Sequence, residues 1–131
     1  MIALLFTALL FQVSPPLDGQ ATYMARGKLA RAARTRGLEL DGAAVFVALN
    51  DCRYLGRLVW LEHAGEVLSA RVADCCQRRH LADRERRGYV AEVGKRQARR
   101  WSMRGPVPVR VHFSYPGGMP CEHSLSRYRC S

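Results

Sequence analysis

Hydrophobic and polar positions alternate most regularly between Leu55 and Val93, and this stretch sets the plan of the chain. From Glu66 to Asp74 the period is two. Leu68, Ala70, Val72 and Asp74 fall on one face, and Val67, Ser69, Arg71 and Ala73 on the other, which predicts a strand. The segment from Leu55 reads as a preceding strand, joined to it by a tight turn at Ala64-Gly65. AAVFVAL (Ala43 to Leu49) is apolar on both faces and predicts a fully buried strand, with Asn50-Asp51-Cys52 as the turn that follows. Tyr89 to Val93 predicts a further strand, reached through Gln77 to Gly88, which reads as a basic loop. PVPVRVHF alternates again, setting Val107, Val109, Val111 and Phe113 against Pro108, Arg110 and His112. Its proline places that strand at an edge or a strand start.

Helical signals are few. MARGKLARAARTRG favours helix through its Ala, Lys and Arg content and stops at Gly37, but its thin apolar stripe suits a short helix or loop lying on a barrel. Val93, Ala98 and Trp101 fall at helical spacing in the segment ended by Gly105-Pro106. About five strands with one or two short helices predict an all-β fold, a small β-barrel. Trp60 and Trp101 occupy core-facing spacings, whereas His63, His112 and His123 read as surface residues.

With 131 residues, 48% hydrophobic and 24% charged, the chain suits one small domain. Met1 to Phe11 is an apolar run shorter than the roughly 20 residues of a membrane-spanning helix, so no stable span is expected. The run matches the apolar region of a secretory signal peptide, with Gly19-Gln20-Ala21 as a cleavage site. A buried N-terminal strand or an uncleaved anchor are the alternatives. On the export reading, residues 1–21 are a leader, 22–114 the domain and 115–131 a turn-rich tail that Cys121 and Cys130 could close. Five cysteines suit an oxidising compartment, hence secretion or the cell envelope, and the odd count leaves one over. A zinc site from Cys52, Cys75, Cys76 and His80 is the rival use of these thiols. Its spacing lacks paired C-x-x-C knuckles, so no metal and no cofactor is expected.

The formal charge of +10 changes the list of partners. Arg78, Arg79, Arg84, Arg86 and Arg87, followed by Lys95, Arg96, Arg99 and Arg100, suit an anionic polymer, and the plain alternative is a solvated basic face. No nucleic-acid motif is present, and an exported, disulfide-bearing chain rarely meets nucleic acid, so that partner is not expected. Asp74 ends an otherwise apolar strand face, where a core opens to solvent, and is the first candidate for a site; a strand-end Asp capping a turn is the structural alternative.

Several segments in order carry a resemblance: Gly19-Gln20-Ala21-Thr22-Tyr23, Ala48-Leu49-Asn50 with Gly56, Arg71-Val72-Ala73-Asp74-Cys75, Gly88-Tyr89-Val90-Ala91-Glu92-Val93, and Gly105 with Val107 to Val111. Together they resemble the double-psi β-barrel superfamily of rare lipoprotein A, barwin and expansin. They are similar, in turn, to its G-x-A-(S/T)-x-Y opening, its T-A-A-H segment, its V-x-V-x-D strand in the D-C form, its G-R-x-I-D-L strand and its closing V-x-V strand. The resemblance implies a six-stranded barrel with a substrate groove, in a family whose members cut peptidoglycan as lytic transglycosylases, loosen cell walls or bind polysaccharide; if Gly19 to Tyr23 belongs to that barrel, cleavage falls earlier than Ala21. It also implies a Cys52–Cys75 bridge. Cys121 with Cys130 would be a second, leaving Cys76 over.

Asn50 stands where the family has His and Glu92 where it has Asp; of the enzymatic set only Asp74 is unchanged. Desolvation at the end of an apolar face would raise the pKa of Asp74, and Glu92 or Asp51 would serve as the second carboxylate that glycosidic cleavage usually needs. The expectation is an exported monomer that binds or remodels peptidoglycan-like cell-wall polysaccharide with weak or no catalysis. Tyr23, Asn50, Asp51, Arg78 and Arg79 would be its contacts. A lytic transglycosylase using Asp74 as acid and then base, and a barwin-like secreted defence or interaction protein, are the alternatives.

Overall fold

The computed structural model describes residues 14–76, 78–117, 122–124 and 127–129. Its centre is a closed barrel of six strands: β1 (Leu17–Tyr23), β2 (Val45–Leu49), β3 (Leu58–His63), β4 (Glu66–Cys75), β5 (Tyr89–Val93) and β6 (Val107–His112). Around the ring the order is β1-β5-β2-β4-β3-β6, and β6 pairs back onto β1. Two pairings, β1 with β5 and β2 with β4, are parallel; the remaining four are antiparallel. The small six-stranded β-barrel expected from the sequence is the fold of the chain.

Consecutive strands that are not neighbours in the ring cannot be joined by a hairpin. Helix α1 (Lys28–Thr35) carries the chain from β1 to β2, which β5 separates, and α2 (Arg78–Arg86) carries it from β4 to β5, which β2 separates. A 3-10 turn at Cys52–Tyr54 links β2 to β3, and α3 (Lys95–Arg100) links β5 to β6. Advancing every strand number by three maps the ring onto itself, so the β1–β3 and β4–β6 halves are related by an internal twofold of topology. The sequence carries no visible repeat to announce it.

The barrel is narrow, and small or β-branched side chains fill it. Ala21, Val47, Val59, Leu61, Ala70, Val72, Ala91, Val93 and Val111 are fully buried inside, each on its strand's inward period. Trp101, Ala98 and Phe113 close one part of this core from α3 and the end of β6. The β3–β4 hairpin turns at Ala64 (φ 49) and Gly65 (φ 78), two positive-φ residues in succession as a type I′ turn requires. Among the described residues no helix is long and apolar enough to cross a membrane.

Five expectations change. First, the barrel starts at Leu17, not at residue 22: Gln20 and Ala21 pair with both β5 and β6, and Ala21 is wholly buried. A cut after Ala21 would remove most of β1. The apolar run at residues 1–13 lies outside the described residues.

Second, the basic loop is helix α2. Its Arg, Leu, Ala and Glu favour helix, Asp83 pairs with Arg86 and Arg87 at i+3 and i+4, and Gly88 (φ 73) ends it. None of its residues is fully buried, which is why no apolar stripe marked it. Third, Trp60 is not in the core. It lies between inward Val59 and Leu61, opposite His112, half-buried on the outer face with its ring edge-on to Tyr115.

Fourth, the period-two face of β4 breaks before Asp74. Val47 pairs with Val72 but Ala48 with Asp74, so Ala73 is an extra residue, a bulge that turns Asp74 to the barrel exterior. Fifth, the tail contains a short antiparallel pair, β7 (Glu122–Ser124) with β8 (Arg127–Arg129). Cys121 and Cys130, expected to bridge, lie outside the described residues.

Gly19 is part of this closure, and no side chain fits there. A Cβ on it would stand 2.6 Å from the Gly88 carbonyl oxygen and 2.6 Å from Val90 Cγ1, where the Gln20 N–H donates to that same carbonyl. Gly19→Ala is therefore expected to destabilise the domain by about 1–3 kcal/mol, read from urea unfolding. If Gly19 served only as a cleavage-site residue, the unfolding midpoint of the folded domain would not move.

Candidate functional site

The bulge at Ala73 builds the site. It sets Asp74 beside Ala48, Ala48 beside Glu92, and Glu92 beside Thr22, so one row crosses the outside of β4, β2, β5 and β1. Asp74 and Glu92 thus flank β2, with Cα positions about 10 Å apart from the inter-strand spacing. The row lies between α1, which packs on β2 and β4, and α2, which packs on β5.

Each carboxylate in the row is held by an arginine from one of those helices or its end. Arg36, the residue that closes α1, donates from Nη2 to Asp74 Oδ1 at 3.1 Å and from Nε to the Ala73 carbonyl. The Cys75 N–H donates to the same Oδ1. Asp74 therefore stands on a partly covered polar surface beside a guanidinium, its side chain 25% exposed. The expected place on an apolar inward face is not found because the bulge turned it outward.

Arg84 of α2 is the more buried of the two cations, its side chain 12% exposed. It donates from Nη1 to Glu92 Oε1 and from Nε to Asn50 Oδ1 at 2.8 Å, and its guanidinium lies over the Tyr89 ring. Asn50 completes the clamp by donating from Nδ2 to the Tyr89 carbonyl at 2.8 Å. Asn50, where the resemblance has His, is thus a two-sided hydrogen-bonding bracket joining α2 to β5. Arg84 was legible only as one of several basic residues. The signal that singles it out is its position three after Leu81, since these two alone in α2 are partly covered.

Cys52 and Cys75 form a disulfide, with Cα atoms 5.0 Å apart, that ties the 3-10 turn after β2 to the end of β4. That bond removes two of the four ligands of the rival zinc site. Cys76 carries a thiol outside this bridge and donates its N–H to the Leu49 carbonyl. Burial pushes that thiol's pKa up; Arg84 opposes, while Glu92, Asp74 and Glu85 add to the rise. Cys76 is therefore within reach of the charges on both sides of the row.

The other candidates sit elsewhere. Asp51 caps the 3-10 turn, accepting from the Arg53 N–H at 2.9 Å and pairing with its guanidinium. Tyr23 follows Thr22 at the end of β1, where it is 45% exposed. Arg78 and Arg79 are exposed at the start of α2, with Arg79 Nε donating to the His80 ring. The structure thus gathers Asp74, Glu92, Asn50 and Arg84 and leaves Asp51, Tyr23, Arg78 and Arg79 outside the cluster. His63, expected at the surface, is partly covered, its Nδ1 2.7 Å from the Pro108 carbonyl and its ring against Trp101. The chain matches no protein-family model and no curated protein.

Two predictions follow from these contacts. Arg84→Gln removes the only ion pair of Glu92 among the described residues and one bond of Asn50. It is expected to cost about 1–3 kcal/mol, with Glu92→Gln recovering part of the loss in the same background; strictly additive effects would dismiss the coupling.

The second concerns acid. The hydrogen bond from Arg53 holds the Asp51 carboxyl below the ordinary Asp range, as that from Arg110 does for Asp18 and that from Arg86 for Asp83. A depressed folded-state value stabilises above the unfolded value of about 3.9, and that contribution is lost as pH falls through the folded values. Melting temperature is expected to drop between pH 5 and pH 2.5. The drop should be smaller in Asp51→Asn; an identical profile in that variant would show its ion pair contributes nothing.

Proposed function

We propose that this barrel is an extracytoplasmic domain of the RlpA-like kind that binds cell-wall polysaccharide and cleaves it weakly or not at all. The observation that carries this reading is the state of the two row carboxylates. A general acid must present a proton to the leaving oxygen, and its neighbour must act as base or nucleophile. Asp74 and Glu92 instead accept hydrogen bonds from Arg36 and Arg84, so both carboxyl groups are engaged as acceptors. Asn50 is likewise occupied on both sides of its carboxamide.

Carboxylate oxygens have further lone pairs and guanidinium groups further N–H donors beyond these bonds, so the row can still offer sugar hydroxyls acceptors and donors. The Cys52–Cys75 bridge favours an oxidising compartment, hence the cell envelope or the exterior. Order of motifs supports the family assignment: the D-C strand is β4, the G-x-x-x-E-V segment is β5 and the closing V-x-V is β6.

The test uses the oxidised protein with purified sacculi stripped of phosphate-bearing polymers, beside Asp74→Asn and Arg84→Gln. Pelleting with the sacculi, weakened several-fold in either variant, with no soluble fragments, is the expected result. Anhydro-sugar fragments that disappear in Asp74→Asn would replace binding by lytic cleavage. Failure of the native protein to pellet would remove the polysaccharide reading.

A further inference from the structure

Positive charge is unevenly spent on this surface. Arg36, Arg53, Arg84, Arg86, Arg87 and Arg110 each hold a carboxylate, and Arg71 holds the main-chain carbonyls of Leu40, Asp41 and Gly56. Four other cations converge without such partners. Arg26, before α1, faces Lys95, Arg96 and Arg99 of α3 across a cleft of about 460 Å³, floored on the α1 side by Gly27. Among the described residues none of the four makes an ion pair. All four are exposed, and nothing lies within 4 Å of where a Gly27 Cβ would stand.

The fold makes this juxtaposition. β1 and β5 run parallel with Tyr23 opposite Val93, and the Met24 N–H bonds the Val93 carbonyl. The chain therefore leaves both strands at the same barrel end, once into Arg26 and once into Lys95. The Asp74 row is met by the other end of α1, about 12 Å of helix away. The cleft lies just past the Glu92 and Thr22 end of the row and shares no residue with it.

We propose that this cleft is an anion site for a polymer with phosphodiester groups at every repeat, of the polyol-phosphate type. Four unpaired cations in one cleft leave a concentrated positive field that one carboxylate would not neutralise, and guanidinium forks suit phosphate oxygens in pairs. Tyr23, 45% exposed at the same barrel end, is the one large exposed aromatic among the described residues. Sites for single-stranded nucleic acid stack successive bases on several aromatic rings. A single ring beside four cations fits a phosphate chain without bases.

The probe is a short synthetic poly(glycerol phosphate), titrated calorimetrically into the oxidised full chain at about 0.1 M salt and again at higher salt. Arg96→Gln/Arg99→Gln is expected to weaken binding about tenfold and to flatten the salt dependence. Arg26→Gln, on the opposite wall, should weaken it in the same direction. Arg78→Gln/Arg79→Gln removes the same charge from α2 and should leave affinity within about twofold. Matching far-UV circular dichroism and melting temperature establish that each variant is folded.

Equal loss in both double variants would overturn the site in favour of a diffuse field. Tighter binding of single-stranded DNA with the same phosphate count would overturn it in favour of nucleic acid, and no binding by the native chain would end it. None of these outcomes bears on the stripped-sacculus experiment, which contains no phosphate polymer, so the two proposals fail independently.

Discussion

A ring order that separates consecutive strands is the constraint from which the rest of the molecule follows. β5 lies between β1 and β2, and β2 lies between β4 and β5, so no hairpin can join either pair, and α1 and α2 make those connections. The same segments deliver Arg36 to Asp74 and Arg84 to Glu92. The charges of the outer row are therefore set by topology: a helix obliged to cross a strand arrives with a cation over the acid on the sheet below.

That coupling leaves each acid beside a guanidinium. A bulge of one residue, Ala73, decides which side of the barrel Asp74 occupies. Turned outward, the acid meets the end of α1; left in register, it would have shared the interior with Val72 and Val47, where Arg36 could not follow. Asn50 has a related part. Its amide bonds both Arg84 and the Tyr89 carbonyl, so this one side chain fastens a crossover helix to the strand that follows it.

The regular strands were legible because the barrel has a single apolar interior. Period-two runs at β4 and β6 register directly which side chains point inward, and the continuous run at β2 marks a strand with apolar residues on both faces. The misses share one physical cause, contacts that do not repeat along the chain. β1 looked like a leader because Gly19 and Ala21 are small, yet their size answers the close approach of β5. Helix α2 escaped because it buries almost nothing and is held by charge. Trp60 sits next to inward residues on a strand whose outer face is also partly covered, so hydrophobicity alone assigned it to the wrong side. Of the row, Asp74, Glu92 and Asn50 were named from residue type and motif order. Arg84, separated from Glu92 by a helix end and a turn, has no local pattern that would connect them.

The position of β1 in the ring also fixes when the molecule can exist. Among the described residues its strand partners are β5 and β6, so β1 has no sheet partner until most of the barrel's strands have been synthesised. No stable intermediate ring can close on a partial chain, and pairings of such long sequence separation form slowly. A polypeptide of this design completes its ring only once β6 can pair with both β1 and β3.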